Sequence, residues 1–204
     1  MILFGEIQYL SLKPQAAENE FDRDVTSQAG ARYIFGAENC EGLGVRFRYL
    51  DYDGAHEAGG ETNGLALQAI DLEITQSFTL GHFDGVISGG YRNGKYTSEE
   101  DGNRDVVYEG NGITLGLMLE RDINRYFGLY GWVQKSYLFG NDSASSDDNA
   151  PLDWTEAQLG LTITPVDHFF VRGGAEIQHH SGLLDDDTSD SALVGWFLSG
   201  GIAY

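Results

Sequence analysis

Two short stretches hold residue types that do chemistry. "DYD" at 51–53 supplies Asp51 and Asp53, and "HH" at 179–180 supplies His179 and His180. Carboxylates beside imidazole can orient and deprotonate a water molecule, the general-base step of a hydrolase. Two further stretches, "NDSASSDDNA" and "LLDDDTSDSA", offer the clustered carboxylate oxygens that Ca²⁺ prefers. Neither has the spaced Asp/Asn, Gly and Glu of an EF-hand loop. Solvated surface loops are therefore the weightier reading, and a Ca²⁺ site the lesser one. Calorimetric titration separates the two: no heat with Ca²⁺, and a melting curve unchanged by chelator, leaves plain loops. His56, His82 and His168 fall in connections and suggest no metal cluster. Cys40 has no second cysteine to pair with and reads as a spectator thiol. The glycines match no ordered phosphate loop.

The elements that must position these residues are strands. Period-two alternation runs through the chain and helical periodicity is nearly absent. In "WTEAQLGLTIT", Thr155, Ala157, Leu159, Leu161 and Ile163 fall on one face, and Trp154, Glu156, Gln158, Gly160 and Thr162 on the other. "NGITLGLMLE" and "FFVRGGAEIQHH" alternate in the same way. Ten strands follow, near 2–13, 27–36, 42–53, 64–80, 84–98, 110–121, 126–140, 154–164, 168–180 and 193–204. Four connections are tight: "GAENCEG", "LGHFDG", "RDINRY" and "TPVDHF". Five are long and polar, near 14–26, 54–63, 99–109, 141–153 and 181–192. Long and short alternate strictly, so the long ones share one end of the sheet and both termini lie at the other.

Bulk properties narrow the class. The 204 residues fit one domain, 1–204. A net charge of −20 argues against a nucleic-acid partner, because phosphate backbones require Lys and Arg. No run of about 18 apolar residues could form a transmembrane helix. Met1 is followed directly by "ILFGEIQYLSL", with no basic start and no small-residue cleavage site. An exported protein would thus have lost its signal peptide from this chain. Almost all of the surplus negative charge sits in the five long connections and adjoining strand tips, whose only bases are Arg23 and Arg104. The acidity belongs to one rim.

Even strand number, short turns on one side and long loops on the other are the layout of an outer-membrane β-barrel. Closure leaves no backbone edge facing lipid. The expected fold is an all-β, closed antiparallel transmembrane barrel with short periplasmic turns and long acidic extracellular loops. In such a barrel the polar face looks inward. Parity then assigns to the lumen the bases Arg32, Arg46, Arg48, Arg92 and Arg172 and the acids Glu6, Asp71, Glu73, Glu120, Glu156 and Glu176. Gln8, Gln134, Gln158 and Gln178 join them. Five arginines facing six carboxylates in a narrow barrel should pair across it. The outcome is either a salt-bridged core or a narrow water-filled pore. Aromatics gather at both predicted interfaces: Phe35, Phe78, Phe83, Phe127, Phe169 and Tyr204 on the turn side, and Tyr49, Tyr96, Tyr137, Phe139 and Trp196 on the loop side. Lys135 has lipid-facing parity but lies high on its strand, where its stem can snorkel to the interface.

Longer strings strengthen the barrel reading. "FGEIQYLSLKP", "GVRFRYLDYD", "DLEITQSFTLGHFDGVISGGYR", "QKSYLFG", "EAQLGL" and "VRGGAEIQHHSG", in this order, resemble the Legionella-type major outer-membrane-protein family of pore-forming barrels, which has relatives in planctomycete bacteria. The resemblance spans nearly the whole chain, on strand patterns rather than catalytic signatures. It implies an outer-membrane barrel that forms a pore and carries no chemistry. Family members usually have Trp where this chain has His179 and His180.

The function expected is a small porin-like channel with a charge-lined lumen in a bacterial outer membrane, not an enzyme. Its partners would be outer-membrane lipid and lipopolysaccharide, the barrel assembly machinery, and small ions or solutes. The acidic rim would favour cations at low salt. One alternative is a non-conducting structural or surface-binding barrel whose acidic loops hold divalent cations or partners. A more distant one is a soluble lipocalin-like barrel with an apolar interior. The ten-stranded outer-membrane proteases also gather acids and His at a rim. Here Asp51 and Asp53 point outward and His180 inward, and the chain reads as too short for strands rising far above the membrane. The end of the chain, "LVGWFLSGGIAY", places Ile202 and Tyr204 on the lipid-facing row and resembles a barrel-assembly signal.

Overall fold

The computed structural model describes residues 1–15, 28–58, 61–100, 103–142, 147–181 and 191–204. They form ten strands: β1 (Ile2–Gln15), β2 (Gln28–Glu38), β3 (Leu43–Ala58), β4 (Glu61–Leu80), β5 (Phe83–Glu100), β6 (Asn103–Asn124), β7 (Phe127–Asp142), β8 (Asp147–Val166), β9 (Phe169–Ser181) and β10 (Ser191–Ala203). Each strand pairs antiparallel with its chain neighbours, and β10 returns to β1, so the barrel is closed. Closure leaves no open sheet edge between the first and last strands.

The tight turns have readable causes. Between β2 and β3, Asn39 Oδ1 accepts from the backbone N–H of Glu41 (2.8 Å) and Leu43 (3.0 Å), an Asx turn. Gly42 completes it with φ of 81°, a left-handed conformation that costs glycine little. Asn124 does the same between β6 and β7, accepting from Tyr126 (2.9 Å) and Phe127 (3.2 Å).

The opposite end differs from the sequence expectation. Three of the five connections expected to be long loops, near 54–63, 99–109 and 141–153, are instead largely the ends of paired strands. The ladder continues through Ala58↔Glu61, Glu100↔Asn103 and Asp142↔Asp147. β4, β6 and β8 reach 20, 22 and 20 residues, whereas about 9–11 cross an apolar layer. The expectation that this chain is too short for strands above the membrane is therefore corrected. The apolar rows that define a strand in sequence stop short of these strand ends. Backbone pairing does not, because it needs no apolar face. The connections at 16–27 and 182–190 lie outside the described residues.

The barrel is turned inside out relative to a soluble domain. Large apolar side chains lie on its outer face: Leu72, Ile74, Ile87, Leu115, Leu159 and Leu198 are all more than half exposed. The lumen arginines, and the lumen carboxylates apart from Glu120, are buried within. Such an apolar band costs heavily in water and is stable against hydrocarbon. The same observation disfavours the lipocalin-like alternative, whose apolar face would be the inner one. Phe35, Phe83, Phe127, Phe169 and Tyr204 rim the turn-side end, and Tyr137, Phe139 and Trp196 the loop-side end, all exposed. Tyr96 is a correction: it packs against the interior cluster and not in the loop-side girdle. Its parity with Arg92 on β5 already pointed inward.

Candidate functional site

The polar residues assigned to the lumen by parity converge on one network inside the barrel. Glu156 on β8 is fully buried and accepts from Arg32 Nη2 (2.6 Å) and Arg92 Nη2 (2.6 Å). Arg92 also grips Asp71 with a two-pronged bond, Nε to Oδ1 (2.6 Å) and Nη2 to Oδ2 (2.8 Å). Arg32 reaches Glu176 (2.9 Å) and the side-chain oxygen of Gln8 (2.9 Å). Gln158 and Gln178 donate to Glu176 at 2.6 and 2.8 Å. Charge-assisted, partly bidentate bonds of this kind are the strong ones, and strands far apart in sequence are tied across the barrel by them.

A second group sits nearer the turns. Glu73 accepts from Arg46 Nε (2.6 Å) and Arg48 Nη2 (2.7 Å), with Gln134 donating at 3.2 Å. Gln134 also donates to Thr114. Arg172 joins Glu6 (2.8 Å) to Glu120 (2.8 Å). Glu120 is the least buried of the set. The indole of Trp132 carries two guanidiniums, Arg32 at 5.0 Å and Arg48 at 4.8 Å from its centroid, and Trp154 carries Arg92 at 4.8 Å. Arginine over an aromatic face gains both dispersion and quadrupole attraction.

Above the charges lies an apolar layer that the expected set of lumen residues leaves out. Leu12, Leu50, Tyr52, Leu67, Tyr108, Leu138, Leu152, Trp154 and Leu193 are buried inside the loop-side half. His180 packs edge-on against Trp154 at 4.6 Å and Tyr96 at 6.0 Å. The signal was present: Leu10 and Leu12 share parity with Glu6 and Gln8. A rule that admits only polar residues to the lumen passes over them. Below the charges, toward the turns, a cavity of about 200 Å³ remains, lined by Phe4, Arg46, Arg48, Val86, Met118, Trp132, Phe170 and Arg172 among others.

Of the residues that could activate water, His180 is kept apart from both aspartates. Asp51 and Asp53 are exposed on the outer face, with Gln68 donating to Asp51 at 3.2 Å, while His180 is buried inside. The barrel wall separates them. No group of three or more His, Cys, Asp or Glu capable of holding a metal occurs among the described residues. The side chains of "NDSASSDDNA" beyond Asn141, and those of "LLDDDTSDSA" up to Ser191, lie outside the described residues, so the Ca²⁺ reading stays an expectation. Cys40 is exposed in its turn. Lys135 points outward and pairs with Asp153 at 3.0 Å, both about two-fifths exposed. Ile202 is on the outer face, and Tyr204 exchanges backbone hydrogen bonds with Leu3, 2.8 Å from its N–H and 2.6 Å to its carbonyl.

No known protein family and no curated protein matches the chain. Solved structures do. The outer membrane protease OmpT from Escherichia coli aligns with a TM-score of 0.58 at 8% identity, covering 100% of this chain and 96% of that one. The attachment invasion locus protein Ail of Yersinia pestis aligns at 0.46 and 12% identity, covering 100% and 98%. Neisserial surface protein A aligns at 0.46 and 9%, covering 98% and 95%. At such identities the likeness is one of fold. The chain is a closed, ten-stranded antiparallel transmembrane β-barrel of the kind found in bacterial outer membranes.

Proposed function

We propose that this protein is a bacterial outer-membrane barrel whose lumen is shut at rest, serving as a structural or surface-binding barrel. The observation that carries this is the plug at mid-barrel. Glu156, clamped between Arg32 and Arg92, is solvent-inaccessible, and Leu12, Leu67, Tyr108 and Trp154 above it are at most 1% exposed. Ions crossing the lumen would have to displace paired, desolvated charges and then an apolar layer. The apolar outer rows and aromatic rims support membrane insertion, with lipid and lipopolysaccharide as surroundings. The likeness of its strand motifs to the Legionella-type major outer-membrane-protein family supports the outer-membrane setting, but as a likeness to pore-forming barrels it favours the second reading.

A pore is the second reading, favoured by the Arg-lined cavity that reaches the turn-side end. In that reading the plug moves, and the acidic rim selects cations at low salt. Planar-bilayer recording separates the two. The shut barrel gives a silent membrane, and a resident pore gives stable unitary steps. Hydrolysis is tested on denatured casein: the separation of Asp51 and Asp53 from His180 predicts no cleavage.

A further inference from the structure

We propose that the turn-side half of the lumen is a binding site for a small organic monocarboxylate with an apolar body. The first observation is electrostatic. Arg46 and Arg48 share one close carboxylate, Glu73, while the next acid, Asp71, is held bidentately by Arg92 and lies 3.3 Å from Arg48. Buried charges are stable when paired, and the cavity's own lining carries four guanidiniums, Arg32, Arg46, Arg48 and Arg172, against two carboxylates, Glu6 and Glu38. The second observation is a donor without an acceptor. Arg48 Nε is buried and makes no hydrogen bond among the described residues, and buried polar groups are nearly always satisfied. The third is space: Arg46 and Arg48 both wall the cavity of about 200 Å³.

The shape of the cavity defines the rest of the ligand. Phe4, Val86, Met118 and Phe170 supply apolar lining to the same cavity. A dry cavity of about 150 Å³ takes benzene, so this one holds a benzene-sized body with a carboxylate. Planar guanidinium recognises carboxylate with two parallel hydrogen bonds, which a hydroxyl cannot match. Trp132, beneath Arg48, fixes the guanidinium plane. Ile2, Glu38 and Ala203 mark where the cavity meets the turn-side rim, so the ligand enters from the turns. The site stands whether or not the barrel conducts.

Calorimetric titration of the full chain in micelles with benzoate, with protein-free micelles as reference, tests the site. Saturable one-to-one binding is expected, with benzyl alcohol weaker by about tenfold or more. Val86→Trp fills the cavity while leaving Arg46, Arg48 and Glu73 in place, and should abolish the binding. Arg46→Gln should weaken it by a similar factor. Heat matching protein-free micelles, equal binding by Val86→Trp, or benzyl alcohol as tight as benzoate would overturn the proposal. Should Val86→Trp fail to fold, judged by heat-modifiable gel mobility, the benzoate and alcohol comparison on the unaltered chain still decides.

Discussion

Glu156 is the side chain on which the interior network turns. It takes one hydrogen bond on each oxygen from arginines of β2 and β5. Glu156→Ala leaves two buried guanidiniums short of an acceptor, and breaking a buried pair from one side costs about 3–5 kcal/mol. Urea unfolding in micelles should show that loss, and Glu156→Gln should show less, since the amide oxygen still accepts. Lys135→Ala is the contrast. Its partner Asp153 is partly exposed, and such surface pairs are worth about 0–1 kcal/mol. An equal drop for Lys135→Ala and Glu156→Ala would contradict this ranking. Which residues face inward was legible from alternation alone, because side chains on a strand alternate strictly. Who pairs with whom was not. Arg32 and Glu156 are 124 positions apart, and only the stagger of the closed sheet brings them level.

At the scale of the strand, close approach decides what a position tolerates. A Cβ on Gly174 would run into the carbonyl of Leu159 on β8, whereas one on Gly200 meets nothing within 4 Å. Gly174→Ala is therefore expected to slow or prevent refolding into micelles, read by gel mobility, while Gly200→Ala refolds as the parent does. The seam between β1 and β10 gives a second expectation. Tyr204 bonds to Leu3 through its backbone and stacks on His168, centroids 4.9 Å apart and planes at 10°. His168 is held at φ of 67° and contacts the Ala203 carbonyl through Nδ1 at 2.8 Å. Removing Tyr204 should reduce membrane insertion in cells, measured by outer-membrane fractionation. Normal insertion would leave the seam intact without it. All ten strands were readable from the alternation, and the turn chemistry of Asn39, Gly42 and Asn124 explains why the tight turns were too. The hairpin extensions at Ala58, Glu100 and Asp142 were not readable, because stretches such as "HEAGGETN" and "EEDGNRD" are polar and carry no apolar alternation.

The whole molecule is an apolar cylinder wall around a polar waist, with an apolar stopper on the loop side and a cavity on the turn side. The stopper was legible only in part: Trp154 shares a face with Glu156 and Gln158, but leucines occur on both faces of the wall. In the function proposed, the wall, waist and stopper together keep the lumen shut. Trp154 holds the stopper to the waist, since it packs against His180 above and carries Arg92 below. Trp154→Ala combined with Leu67→Ala should open a wet path and bring conductance to the barrel proposed to be silent. The most direct test of the shut lumen is planar-bilayer recording of the unaltered chain across a KCl gradient. A shut lumen gives a silent membrane for the parent and current steps for the Trp154→Ala, Leu67→Ala double variant. Reproducible unitary steps from the unaltered chain would contradict it.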